Sequence, residues 1–207
     1  GNNRMGAIAA VRVRGDAGLF TNAKSVRQEC NLYEATIRIA LETTEGEVRF
    51  ALTAVRGQDL LVLDLEDHRR ERVPFTVTLE NWHEGDETTA TETVHVNRTS
   101  VFEAMNRQVG LEPSAVPVAD PLLGRAWGLF VEGHAPSWPK PADATERVPP
   151  MGQRILIATA CSMMGADVVR QAGGALLAEA RRCGDQWLAE HRRWWAEFWS
   201  RSYVSLH

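Results

Sequence analysis

Residues 35–65 read ATIRIALETTEGEVRFALTAVRGQDLLVLDL, and this stretch decides the fold. Apolar and polar residues alternate along it, which is the period of a β-strand with one buried face. Ile37, Ile39 and Leu41 fall on one face, and Arg38 falls on the other. Short polar turns separate the runs, and successive strands joined by such turns pair antiparallel. The stretch therefore predicts an antiparallel meander.

The same alternation extends from residue 7 to about residue 79, and two further strand patterns occur at residues 126–132 and 154–160. The later apolar positions are Val48, Phe50, Leu52, Ala54, Leu61, Leu63, Leu65, Phe75, Val77 and Leu79. No strand-helix-strand alternation occurs before residue 166, so two stacked antiparallel sheets are the predicted architecture. The predicted fold class is mainly β: a two-sheet antiparallel β-sandwich followed by a long C-terminal α-helix.

The period changes to that of an α-helix from about residue 167. The predicted apolar stripe comprises Leu176, Ala180, Cys183, Trp187, His191, Trp194 and Phe198. Gly173 and Gly174 mark either the start of the helix or a kink, since each interior glycine costs about 1 kcal/mol relative to alanine. The predicted domains are a β-sandwich at 1–165, a linker helix at 166–200 and, at 201–207, a stub of a missing following domain.

The end of this helix carries four large aromatic residues on one side. Fully burying one such side chain is worth about 1.5 to 3 kcal/mol, so this side predicts a partner surface. The predicted interdomain docking residues are Trp187, His191, Trp194, Trp195, Phe198 and Trp199. His191 is predicted to be a packed linker residue, not an acid or a base. Pairing of the aromatic side with a second copy of the chain, as an oligomerisation domain, stays open.

The composition argues against two classes of partner. The 207 residues carry a formal net charge of -4 and contain no long basic block, so nucleic acid is not an expected partner. No apolar run approaches the roughly 20 residues that cross a bilayer, and the first residues lack a signal-peptide pattern. No membrane partner is therefore expected, and a periplasmic or extracellular location of a longer parent protein stays open.

Neither a metal nor another cofactor is expected. Cys30, Cys161 and Cys183 fit no disulfide framework and no zinc pattern, and they are predicted to be buried or idle thiols. The six histidines never fall at a metal-ligand spacing. No catalytic residue is predicted: the acidic run Glu84, Asp86 and Glu87 is interpreted as a solvated hairpin tip.

Two tryptophans have neighbours suited to sugar binding, which uses an aromatic ring flanked by amide or carboxylate groups. The candidate ligand-binding residues are Asn81, Trp82, His83, Glu84 and Trp138. The alternative for Trp82 is that it caps an edge of the core. A free-standing carbohydrate-binding module is therefore a second hypothesis for the whole chain.

Several segments resemble one family in chain order. Residues 26–39 (VRQECNLYEATIRI), 79–83 (LENWH), 102–111 and 120–128 (DPLLGRAWG) are similar to segments of the N-terminal domain in bacterial proteins of domain-of-unknown-function family 5703. The opening GNNRMGA looks like the first strand of a fucosidase-type domain.

The motif HRRWWAEFW at residues 191–199, followed by SYV at 202–204, resembles the linker of inverting α-L-fucosidases and maltose-type phosphorylases. In those enzymes a β-sandwich precedes an (α/α)6 barrel, and the barrel carries the catalytic carboxylates. The resemblance implies a non-catalytic N-terminal domain of a glycoside hydrolase-like protein. The partner it implies is the following helical domain of the same parent chain, and an oligosaccharide is a further candidate.

Overall fold

The computed structural model describes residues 9–15, 18–70, 75–81, 86–98, 100, 105–106, 108–110, 120, 122–134 and 151–201. Its strands are β1 Ala9–Arg14, β2 Ala23–Asn31, β3 Thr36–Thr43, β4 Glu47–Ala54, β5 Leu60–Asp67, β6 Thr76–Asn81, β7 Glu87–Thr88, β8 Glu92–Val96, β9 Ala126–His134 and β10 Met151–Ser162. A short helix α1 spans Gly18–Thr21 and a long helix α2 spans Ala166–Arg201.

The strands form two antiparallel sheets, as predicted. An eight-stranded sheet has the order β2-β3-β4-β5-β10-β9-β8-β7, and β1 pairs with β6 in a two-stranded sheet. The meander of residues 35–65 forms β3, β4 and β5, with Ile39 opposite Phe50 and Phe50 opposite Leu65. The segments with strand patterns, residues 126–132 and 154–160, lie in β9 and β10, which pair with each other. The predicted fold class is confirmed.

The two faces of the large sheet are covered by different elements. One face packs against β1 and β6, and its buried members include Leu41, Val48, Leu65, Ile155 and Ile157. The opposite face packs against α2 through Val62, Phe130, Leu156 and Ala158 among others. Successive residues of β10 alternate between these clusters, as the period of two requires. The core therefore has two layers, one on each side of the large sheet.

Helix α2 begins before the two glycines and runs through them, so Gly173 and Gly174 do not mark its start. Gly173 is buried, and a Cβ built on it would lie 2.1 Å from Cδ2 of Phe130. The glycine is present because the helix backbone approaches an aromatic ring, a position only a residue without a side chain fits. None of the helices in the described ranges is long and apolar enough to cross a membrane.

Candidate functional site

His191 fixes α2 to the end of the large sheet. Its side chain is buried, its Nδ1 accepts a hydrogen bond from the Arg56 backbone N–H at 3.0 Å, and its Nε2 lies 2.9 Å from the Glu34 carbonyl oxygen. Because Nδ1 accepts this hydrogen bond, Nε2 is the nitrogen that donates, to the Glu34 carbonyl oxygen. The imidazole thus bonds one backbone group in each of two turns. His191 has both ring nitrogens engaged in structural bonds.

Beyond His191 the helix continues through residues 192–201, about 15 Å at about 1.5 Å per residue. We call Trp194, Trp195, Phe198 and Trp199 the aromatic end. Their rings contact one another, with centroids 5.0 Å apart for Trp194 and Trp195 and 5.3 Å for Trp194 and Phe198. The aromatic end is thus a single cluster of rings.

The aromatic end touches the sheet through the two turns that His191 also binds. The Trp199 indole N–H donates to the Leu32 carbonyl at 2.6 Å, and its ring lies 6.1 Å from that of Tyr33. The Arg56 guanidinium lies 4.2 Å from the Trp194 ring centroid, a cation–π contact. These contacts leave Phe198 40% exposed, Leu32 57% and Tyr33 62%.

This exposed apolar group is the strongest candidate for an interaction surface. Single exposed apolar residues need no explanation, but contiguous ones mark places where another surface binds. The predicted docking residues are therefore split. His191 and Trp187 pack on the core of this chain, whereas Phe198 projects into solvent. Docking of another domain at this end stays a prediction.

Replacing His191 by phenylalanine is expected to lower the free energy of unfolding by at least about 2 kcal/mol, since two hydrogen bonds of about 1 kcal/mol each are lost and the larger ring must fit a buried site. Chemical denaturation followed by circular dichroism measures this. Arg193→Gln, on an exposed position of the same turn, is the control and should not change the midpoint. A His191→Phe protein as stable as the parent would show that these bonds do not hold the helix.

Salt bridges also connect the rest of α2 to the sheet, beside the apolar core. Arg154 on β10 bonds Asp64 at 2.6 Å and Asp185 of the helix at 2.6 Å. The hydrogen bond to Asp64 raises the pKa of Arg154 above its usual range, against the opposing effect of burial, and the bond to Asp185 raises it further. Near the start of the helix, Arg170 pairs with Glu87 and Glu92. The helix is held at its start and middle, as well as at His191.

The part of the large sheet formed by β2 to β5 carries a charged depression of about 480 Å³. Ala40 and Ala51 lie among its lining residues, and its charged members are Arg27, Glu29, Arg38, Glu47, Arg49, Asp64 and Glu66. Each arginine already pairs with a carboxylate, Arg27 with Glu29 at 3.3 Å, Arg49 with Glu47 at 2.6 Å and Arg38 with Glu34. This self-neutralised surface is typical of a solvated sheet face.

The predicted ligand-binding residues lie mostly outside the described part of the chain. Asn81 is the last residue of β6, where it pairs with Ala9. Trp82, His83, Glu84 and Trp138 fall outside the described residues. The sugar site predicted around Trp82 stays a prediction.

Asp86 differs from the solvated residue that the sequence predicted. Its side chain is only 2% exposed, and its Oδ1 lies 2.6 Å from Nδ1 of His95. Its Oδ2 is buried and has no hydrogen-bond partner among the residues that the structure describes. The His95 ring stacks on Trp127, with centroids 5.7 Å apart. The prediction failed because antiparallel pairing across three strands brings these residues together, and no local pattern records such pairing.

The thiols also differ from expectation in part. All three cysteines are free, but Cys30 and Cys161 are exposed and Cys183 is half-buried, so none of them is a buried thiol. Within the described ranges, no three side chains of the metal-ligating types lie close enough to share an ion.

Comparison with known proteins identifies a shared architecture. A solved structure described as "Putative kojibiose phosphorylase from human microbiome" matches this chain with a TM-score of 0.50 and 7% sequence identity, over 84% of this chain and 23% of that one. This likeness shows the fold alone. The chain spans about a quarter of the length of that protein. No family model matches the chain, and no curated protein does.

The resemblance drawn from sequence is therefore supported in one of its two parts. The kojibiose phosphorylase neighbour has a region of the same fold as this chain, which agrees with the resemblance to phosphorylases drawn from the sequence. The similarity to domain-of-unknown-function family 5703 is not supported by any of these comparisons.

Proposed function

We propose that this chain is a non-catalytic N-terminal β-sandwich domain, with its linker helix, of a larger carbohydrate-active protein. The observation that carries the proposal is the aromatic end, a cluster of four large rings with Phe198 40% exposed beside the exposed Leu32 and Tyr33. The occupant that we propose for this surface is a helical domain following in the same parent chain. The phosphorylase of the same fold is about four times as long as the matched region, which supports a further domain.

The residues described here also support a non-catalytic role. Glycoside cleavage uses two carboxyl groups about 5 to 10 Å apart across a sugar-sized cleft. Of the carboxylates that line the charged depression, Glu29, Glu47 and Asp64 form salt bridges with arginines, and Glu66 lies 3.3 Å from His68 Nε2. Asp86 is held against His95. A carboxylate that is held by a neighbouring side chain must first leave that partner before it can exchange a proton with a sugar.

The chain alone is expected to show no turnover on a panel of aryl glycosides, and none on kojibiose with inorganic phosphate. Release of the aryl group and formation of glucose 1-phosphate are the measurements. Hydrolysis or phosphorolysis at an enzyme-like rate would contradict the proposal outright.

Pairing with a second copy is the competing use of the aromatic end, and light scattering separates it from docking. The chain is expected to be a monomer, and Phe198→Glu is expected to leave its mass unchanged. The control is Ala196→Glu, which places the same charge on an exposed position of the same turn. A dimer that dissociates in Phe198→Glu and persists in Ala196→Glu would favour self-pairing and overturn the proposed docking.

Sequencing of the reading frame beyond the codon for His207 tests for the following domain directly, since several hundred residues of helical-hairpin pattern are expected there.

A further inference from the structure

Two arginines flank the aromatic end on opposite sides. The Arg56 guanidinium lies 4.2 Å from the Trp194 ring centroid. Arg192 precedes Trp195 by three residues and Trp199 by seven, spacings that place these three side chains on one side of a helix. Since each residue turns a helix by about 100°, Trp194 and Trp199 lie about 140° apart around its axis. The cluster of rings therefore has a cation at each border.

These two arginines lack a counterion. Both Arg56 and Arg192 are exposed, and neither forms a salt bridge with any carboxylate in the described part of the chain. Three carboxylates near the aromatic end are already bonded by neighbouring side chains. The pairs are Glu34 with Arg38, Glu190 with Gln186 and Glu197 with Arg201. Asp59 of the turn between β4 and β5 lies beside β10, which donates a backbone hydrogen bond to its carbonyl oxygen at 2.9 Å. The unpaired charges at the rings are thus positive, although the whole chain has a formal net charge of -4.

This charge distribution separates the possible occupants of the aromatic end. Interfaces combine an apolar centre with a polar border, and the charges at the two borders are complementary. A second copy of the chain is a poor match, because it would bring its own Arg56 and Arg192 to the contact, while its nearby carboxylates are already bonded. Cations placed opposite cations weaken an interface. The charges therefore favour a different surface with an acidic border.

We propose that the surface that docks on the aromatic end carries carboxylates opposite Arg56 and Arg192, around an apolar seat for Phe198. The assignment of this surface to a following helical domain of the parent chain rests on the proposed function. A guanidinium group binds a carboxylate through two parallel hydrogen bonds, which fixes orientation as well as position. The contact with Trp194 restricts where the Arg56 group can lie, so less freedom is lost when a carboxylate binds it. The two arginines thus align the partner, and the rings supply the buried apolar area.

Two labelled amphipathic helical peptides test the proposal. They share one apolar face, which is bordered by glutamates in the acidic peptide and by lysines in the basic peptide. Fluorescence anisotropy measures their binding to the chain in about 0.02 M and about 0.5 M NaCl. The acidic peptide is expected to bind about tenfold more tightly at low salt, and the difference should shrink at high salt because salt screens exposed charges. The net charge of the whole chain would by itself give the opposite preference.

Charge reversal locates the effect. The double variant Arg56→Glu, Arg192→Glu should bind the basic peptide more tightly than the acidic one. The control is Arg193→Glu, which lies two residues from the buried His191 and therefore on the opposite side of the helix, and it should keep the parent's preference. Phe198→Glu should weaken the binding of both peptides. If the double variant does not fold, glutamine at both positions keeps neutral side chains there and should remove the preference.

Equal binding of the two peptides, tighter binding of the basic one or binding of neither would overturn the proposal. So would a preference that survives in the folded double variant, since the two arginines would then not be its source. A missing charge preference with binding that still depends on Phe198 leaves the proposed function intact. That function fails through turnover of glycosides or through a dimer that depends on Phe198, and neither result involves the peptides.

Discussion

Gly173→Ala is expected to lower the free energy of unfolding by about 3 kcal/mol, the upper part of the range for overpacked cores. The new methyl group would lie 2.1 Å from Cδ2 and 2.2 Å from Cε2 of Phe130. The ring has no room to retreat, since it is 3% exposed and a Cβ built on Gly128 of β9 would lie only 2.5 Å from it. The helix must therefore move away from the sheet. Thermal or urea denaturation measures the loss.

Gly174 is the matched control for this prediction. It is exposed, and a Cβ built on it meets nothing within 4 Å. Gly174→Ala should therefore stabilise the protein by about 0.5 to 1 kcal/mol, the propensity difference between the two residues in a helix. Combining Gly173→Ala with Phe130→Leu should recover part of the loss, since the smaller side chain makes room. Equal effects of the two single alanine substitutions would refute the close contact between helix and ring.

Arg69→Met is expected to lower the free energy of unfolding by about 3 to 5 kcal/mol, the cost of leaving a buried charge without its partner. Asp67 and Arg69 have side chains that are 1% and 4% exposed. Arg69 Nε donates to Asp67 Oδ1 at 3.0 Å and Nη2 donates to Oδ2 at 2.8 Å, a bidentate pair at the end of β5. Removing the cation leaves a carboxylate that water cannot reach.

The double variant Arg69→Met, Asp67→Leu separates the charge from the packing. Replacing both members of a buried pair by apolar residues is often close to neutral, so most of the lost stability should return. Arg12→Met serves as the control, because its pair with Glu80 lies on the surface with both side chains at least 37% exposed. Its melting temperature should match that of the parent. A double variant no more stable than Arg69→Met would indicate that the loss does not come from the unpaired charge.

The strands of residues 35–65 were predictable because successive side chains of a β-strand point to opposite faces of the sheet. The alternation of apolar and polar residues therefore shows which residues face the core. The sequence pattern predicted Ile39, Leu41, Val48 and Leu65 on the buried faces of their strands, and they pack together against β1 and β6. The short strand β8 was missed, since its five residues give too brief an alternation to separate from a loop.

The buried side of α2 was predicted in part. Of the predicted stripe, Ala180 and His191 are buried, and Leu176 and Trp187 pack against the core. The buried residues that the pattern did not select include Gly173, Leu177 and Gly184. Helix and sheet approach closely at small residues, so the contact side is marked by glycine and alanine as much as by bulk. Hydrophobic periodicity gives weight to large residues and therefore did not select Gly173, where the helix meets Phe130.

The candidate sites divide in the same way. The aromatic end is visible in the sequence, because its four rings lie within six residues of a single helix. The group Asp86, His95 and Trp127 joins residues from separate strands, so only the folded sheet reveals it.

The sequence by itself determined the antiparallel sandwich, the long helix and the presence of an aromatic end, because these depend on periodicities of two and of 3.6 residues within short segments. The tertiary structure decided which helix face is buried, that Asp86 is shielded from water and that Phe198 lies exposed beyond the sheet. These properties depend on contacts between residues far apart in the chain, and such contacts follow from how the elements pack together.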